Sequence, residues 1–126
     1  MKGLVFFPSP PGGNQRPEID WALENLVLPT GANWVRLHLA CDQDDVHSTV
    51  VYCKQPETMT DEEYLHFVKT AHGLGLRVMS EHRLETVYWQ GYWAGDIGKF
   101  YTEQEWAAWF ESYGKMILRY AKLAEK

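Results

Sequence analysis

The chain has 126 residues, 45% of them hydrophobic and 23% charged, a length and balance that suit one packed domain and exclude a disordered tail. Its 12 Lys+Arg against 17 Asp+Glu give a formal charge of −5 with no basic run, which excludes a phosphate-tracking nucleic-acid surface. The aromatic fraction is 14%, and such rings either fill a core or offer flat platforms to ligands with apolar faces, sugars among them.

Leu4-Val5-Phe6-Phe7 is too short an apolar run for a signal-peptide core or a membrane span, so the expected setting is cytoplasmic with no membrane partner. There the expected state of Cys41 and Cys53 is a reduced pair, with a loop-stapling disulfide as the alternative. Ended by Pro8-Ser9-Pro10-Pro11-Gly12-Gly13, the same run predicts a first strand over 4–7, buried on both faces. Ile19, Leu23, Leu26 and Val27 share one helical stripe, which Pro29 and Gly31 terminate. Residues 33–40 predict a second strand with Val35, Leu37 and Leu39 on one face and Arg36 and His38 on the other.

The polar segment 41–57 is long for a connection and predicts a functional loop, with a small strand over 48–52. Thr60-Asp61-Glu62-Glu63 has the form of a capping box, followed by Leu65, Val68 and His72 at helical spacing and by Gly75 as a stop. Residues 76–82 predict the third strand and 83–98 a loop carrying Tyr88, Trp89, Tyr92 and Trp93. A second capping box at Thr102-Glu103-Gln104-Glu105 opens a last helix, whose stripe is Trp106, Trp109, Phe110, Tyr113, Ile117, Tyr120, Ala121 and Ala124. Strand and helix thus alternate three times. That order predicts an α/β fold with parallel strands ordered 1-2-3 and chemistry at their carboxyl ends.

Glu81 and Glu85 are the two carboxylates at one strand end, the residue type that glycosidic hydrolysis needs in pairs. The competing reading pairs one of them with Arg36, Arg77 or Arg83 and leaves the other solvated. Arg36, His38, His82 and Arg83 form either a ligand-facing polar set or an ion-pair network that orients the strands. Trp89-Gln90-Gly91-Tyr92-Trp93 offers stacking faces at a cleft rim, or folds back as a core cap. His38, Cys41, His47 and Cys53 match no zinc spacing, and Asp42-Gln43-Asp44-Asp45 lacks the glycine and terminal Glu of a calcium loop, so no metal is expected. His66 and His72 lie on different sides of their helix and are read as structural or exposed. With neither a phosphate-cradling glycine loop nor a serine elbow, no cofactor is expected.

Five segments in order carry a family likeness: residues 31–35 (Gly-Ala-Asn-Trp-Val), 60–63, 71–79 (Ala-His-Gly-Leu-Gly-Leu-Arg-Val-Met), 89–91 and 109–125. They resemble the N-terminal part of glycoside hydrolase family 113, which contains β-mannanases, within the clan of retaining (β/α)8-barrel glycosidases. The resemblance implies a partial TIM barrel of three βα units, one domain over 1–126, with a carbohydrate ligand. The family places its acid/base Glu after the fourth strand and its nucleophile Glu after the seventh, which implies that no catalytic residue lies in this chain. Clan members line the sugar site with an Arg at the second strand end and a His at the third. Arg36 matches the first, whereas Glu81-His82-Arg83 departs from the family's Lys-Pro-His-like ending, leaving His82 or Arg83 for that place. The candidate sugar contacts are therefore Arg36, His38, His82, Arg83, Glu85, Trp89 and Trp93. The expected function is a weak sugar-binding surface without hydrolysis. The alternatives are a non-catalytic homo-oligomeric binding or scaffold protein, or a fragment of a full-length glycosidase. The open inner face and two free edges of a three-stranded sheet predict a homo-oligomer.

Overall fold

Ten residues of strict apolar/polar alternation make strand β2, Trp34–Gln43, in which Val35, Leu37, Leu39, Cys41 and Gln43 are buried and the residues between them half-buried. The computed structural model describes residues 2–6, 17–54 and 58–125. Strand β1, Gly3–Phe6, runs parallel to β2 in a register from Gly3 opposite Trp34 to Phe6 opposite Leu37. Strand β3, Arg77–Thr86, completes a parallel three-stranded sheet in the order β1-β2-β3. This is the expected α/β arrangement, with β2 and β3 reaching three and four residues beyond their expected ends. Backbone bonds prolong their pairing, since Val87 N donates to Gln43 O at 3.0 Å and Tyr88 N to Asp44 O at 2.8 Å.

Strand β1 departs from the expectation of two buried faces, because Leu4 and Val5 are 39% and 43% exposed. Among the described residues only β2 flanks it, and a short apolar run reads alike in a central strand and at an edge. Phe7 and the segment from Pro8 to Gly13 lie outside the described residues. Helix α1, Pro17–Ala22, widens into a π turn over Leu23–Val27 and tightens into a 3-10 turn over Leu28–Thr30. Gly31 closes it in the left-handed region at φ 74°, donating its N–H to Leu28 O at 3.0 Å. The change of pitch buries Leu23 and Val27 but turns Leu26 outward, contrary to the regular stripe.

Helix α2, Asp61–Gly73, begins at the expected capping box: Thr60 Oγ1 accepts from Glu63 N at 3.1 Å, and a Glu63 carboxylate oxygen accepts from Thr60 N at 2.7 Å. Its buried stripe is Tyr64, Phe67 and Ala71, one residue out of phase with the expected Leu65, Val68 and His72. One residue is a rotation of about 100° about the axis, and the two bulky rings take the inward phase. Helix α3, Glu103–Ala124, also starts at its expected box, but buries Met116, Tyr120 and Leu123 and leaves Phe110 at 60% exposure. Ala121 and Ala124, expected inside, are exposed.

The described residues form two compact units, the first drawn from residues 1–39 and 55–82, the second from 40–54 and 83–126. In the first, Leu23, Val35, Leu37 and Leu39 are buried with Phe67, Ala71 and Leu76, and Phe67 meets the Phe6 ring at 5.3 Å. The second buries Cys41, Gln43, Val46 and Val51 with Met116, Tyr120 and Leu123.

In this second unit Cys41 and Cys53 form a disulfide, contrary to the reduced pair expected from an intracellular reading. The cause is local. Asp42 and Tyr52 make an antiparallel bridge, with N–H to O distances of 2.7 and 2.9 Å, which carries the flanking cysteines to a Cα separation of 4.3 Å. That bridge is all that forms of the small strand expected over 48–52.

The core assignment has a direct check. Phe67→Ala should lower the urea unfolding free energy by about 3–5 kcal/mol, while Leu26→Ala should stay within about 0.5 kcal/mol of the parent. Equal losses for the two would overturn the helix phases described.

Candidate functional site

Alternation along β2 puts Arg36 and His38 on the face opposite the buried Val35, Leu37 and Leu39. Glu81 of β3 meets them there. Its Oε2 lies 3.2 Å from Arg36 Nε and 3.4 Å from His38 Nδ1. The three side chains are 41%, 15% and 36% exposed in the order Arg36, His38, Glu81, so the cluster borders solvent. A carboxylate held through one oxygen keeps acceptor capacity on the other, and the guanidinium has five N–H donors. The cluster thus presents donors and an acceptor side by side, the complement of vicinal hydroxyls.

Along β3, the Ser80 hydroxyl is 2.9 Å from the Tyr64 hydroxyl of α2. Ser80 therefore points to the helix side, and by alternation so does His82, while Arg83 and Glu85 share the parity of Glu81. Of the two residues weighed for the strand-end position, Arg83 therefore has the parity of Glu81 and His82 that of Ser80. Burial pushes the His82 imidazole below the usual histidine range.

Glu85 is ion-paired to Arg83 as Glu81 is to Arg36, and it belongs to β3 rather than to the following loop. Four residues along an extended strand rise by about 13 Å, against the roughly 5–10 Å between the paired carboxyls of glycosidases. Trp89 and Trp93, in the second unit, are 79% and 70% exposed rather than folded into a core cap, with the Trp93 ring lying against Gly95.

Residues 42–48 are organised by their own side chains. Asp45 Oδ1 accepts from His47 N at 2.8 Å and Ser48 N at 3.0 Å, and its Oδ2 accepts from Gln90 Nε2 at 3.2 Å. Asp44 accepts from the Tyr52 hydroxyl at 2.7 Å, which raises that phenol to about 12. The fully buried Gln43 donates to Asp45 O at 2.6 Å and accepts from Trp109 Nε1 at 2.9 Å. Sequence reading passed over Gln43, although its β2 parity marks it as a polar residue at a core position, which must find partners. Of the four residues weighed as metal ligands, Cys41 and Cys53 have their sulfurs bonded to each other. His66 lies 3.0 Å from Asp20 on its ring nitrogen, tying α2 to α1, and His72 is exposed.

The model of Glycoside Hydrolase Family 113 matches residues 7–126. Among solved structures, a GH113 β-1,4-mannanase superimposes with a TM-score of 0.78 at 28% identity, over 98% of this chain and 41% of its own. A β-1,4-mannanase complex of the same family gives 0.75 at 26%, over 98% of this chain and 40% of its own. The GH113 β-mannanase AaManA from Alicyclobacillus acidocaldarius in complex with ManMIm gives 0.76 at 26%, over 97% and 40%. No curated protein matches the chain. The chain spans about two fifths of the length of these mannanases. With a three-stranded parallel α/β sheet, a family match over nearly all its residues and this structural likeness, the chain belongs to glycoside hydrolase family 113.

Proposed function

We propose that this chain carries part of the sugar-binding surface of a mannanase-type glycosidase and does not hydrolyse glycosides by itself. The Arg36–His38–Glu81 cluster carries the reading: a carboxylate beside a guanidinium and an imidazole, at the solvent border of the sheet, matches adjacent hydroxyls in a way a purely apolar strand face would not. In the second unit Arg83 and Glu85 form another arginine–carboxylate pair. The second unit, taken by itself, has exposed Trp89 and Trp93 rings on which pyranose C–H groups can stack. The ligand class follows the neighbours, whose titles name them β-mannanases. The absence of turnover follows from the carboxylates: Glu81 and Glu85 are each committed to an arginine, and the rise of extended strand between their positions exceeds the carboxyl spacing of double displacement.

The same reading includes self-association. Leu4, Val5 and Met79 are 39%, 43% and 47% exposed on the strands of the first unit, bordering a groove of about 300 Å³ beside Arg36. Parallel sheets are almost always covered on both faces, and a second copy of the chain is the simplest cover, in competition with sugar for the groove that Arg36 lines.

Mannooligosaccharides should quench or shift the tryptophan fluorescence with a millimolar-range Kd, about −4 kcal/mol of binding. Arg36→Ala should weaken that binding about tenfold or more without unfolding the chain, and no reducing ends should be released above buffer. Fluorescence unchanged at saturating sugar would overturn the binding reading, and turnover abolished by Glu81→Gln would overturn the non-hydrolytic one. In sedimentation equilibrium the chain should run heavier than its 14.6 kDa monomer at tens of micromolar, roughly, and Met79→Glu should shift it toward monomer. A cooperative monomer at that concentration would contradict self-association.

A further inference from the structure

The second unit carries a groove of about 310 Å³ whose walls include Cys53, Ser112, Lys115 and Arg119. None of the groove's lining residues is a member of the Arg36 cluster, whose three residues belong to the first unit. Two features of it are chemical. One sulfur of the Cys41–Cys53 disulfide belongs to a groove-lining residue, and the other belongs to Cys41, which is fully buried on β2. Among the described residues, the charged ones that line the groove, Lys115 and Arg119, are both cationic and stand one helical turn apart on α3. Glu111 pairs with Lys115 at 2.7 Å, and Asp44 engages the Tyr52 hydroxyl, but neither carboxylate lines the groove. Lys54, next in the chain to Cys53, lies over the Tyr52 ring at 4.1 Å and adds a third cation nearby.

We infer that this groove is a site of reversible S-thiolation, taking a small thiol that bears carboxylates, with Cys53 as the residue modified and Cys41 as the thiol that resolves it. Thiol–disulfide exchange proceeds by attack of a thiolate on the accessible sulfur. The incoming thiolate attacks Cys53 Sγ from the groove, a new S–S bond forms there, and the Cys41–Cys53 bond breaks. The electron pair goes to Cys41 Sγ, which takes a proton from water, so the sum is one thiol and one disulfide exchanged for another pair without an external oxidant or reductant. Lys115 and Arg119 attract the carboxylates of the incoming molecule and raise its local concentration at the sulfur. The Tyr52 hydroxyl, raised to about 12 by its bond to Asp44, stays neutral at the mildly alkaline pH where thiolates form and does not cancel that field. Reversal is built in: the two backbone bonds of the Asp42–Tyr52 bridge hold residue 53 near Cys41, so the freed thiol recaptures Cys53 once the external thiol is withdrawn.

The test uses the intact oxidised chain, incubated with excess glutathione, quenched in acid and mapped by peptide mass spectrometry. The adduct is expected on Cys53, with Cys41 as a free thiol. Lys115→Gln combined with Arg119→Gln should slow glutathione exchange about threefold while exchange with uncharged 2-mercaptoethanol stays unchanged. In the unmodified chain the ratio of the glutathione rate to the 2-mercaptoethanol rate should fall as salt rises, which requires no variant to fold. Glutathione on Cys41, exchange seen only under denaturing conditions, or a rate ratio indifferent to salt would each overturn the inference.

Discussion

The period-two alternation of β2 is the constraint from which the rest of the structure follows. A strand exposes successive side chains on opposite faces, so one decision about which parity goes inward fixes all ten positions. Here Val35, Leu37, Leu39 and Cys41 go inward, and Arg36 and His38 are thereby forced to the other face. The reverse choice would bury a guanidinium and an imidazole among apolar side chains, at a cost far above what their ion pairs return. The same parity takes Gln43 into the second unit's core, where Trp109 and the Asp45 carbonyl satisfy it.

Much of this was legible in the residues. Parity assigned Arg36 and His38 correctly, and both capping boxes were readable because Thr and Glu three apart satisfy two orphan N–H groups reciprocally. The helix faces were harder. Leu65 and Val68 are as apolar as their neighbours, but Tyr64 and Phe67 have more surface to hide, and periodicity alone carries no information about which of two adjacent phases wins. In α1 the π turn breaks the period itself, so Leu26 sits where a regular helix would not place it.

The site was legible in part. Glu81 appeared as one half of a carboxylate pair and as a possible partner of Arg36, and the second is the geometry found. That it also engages His38 depends on strand register, which depends in turn on long-range pairing that no local pattern encodes. Compartment is a poor guide to the redox state of Cys41 and Cys53, which are joined. The decisive factor was instead the bridge between Asp42 and Tyr52, a nonlocal contact within a polar loop. Membership of glycoside hydrolase family 113, by contrast, was legible in five short segments in order, although solved structures of the family match at only 26–28% identity.

The central claim is that Arg36, His38 and Glu81 are kept for a ligand and contribute little to holding the sheet together. A double-mutant cycle of Arg36→Ala, Glu81→Ala and both, read by urea unfolding, tests it most directly. Because both side chains are more than a third exposed, each single change should cost no more than about 1 kcal/mol, with a coupling energy below about 1 kcal/mol. A loss of about 3 kcal/mol or more on removing either partner would mark a buried structural ion pair and contradict the account.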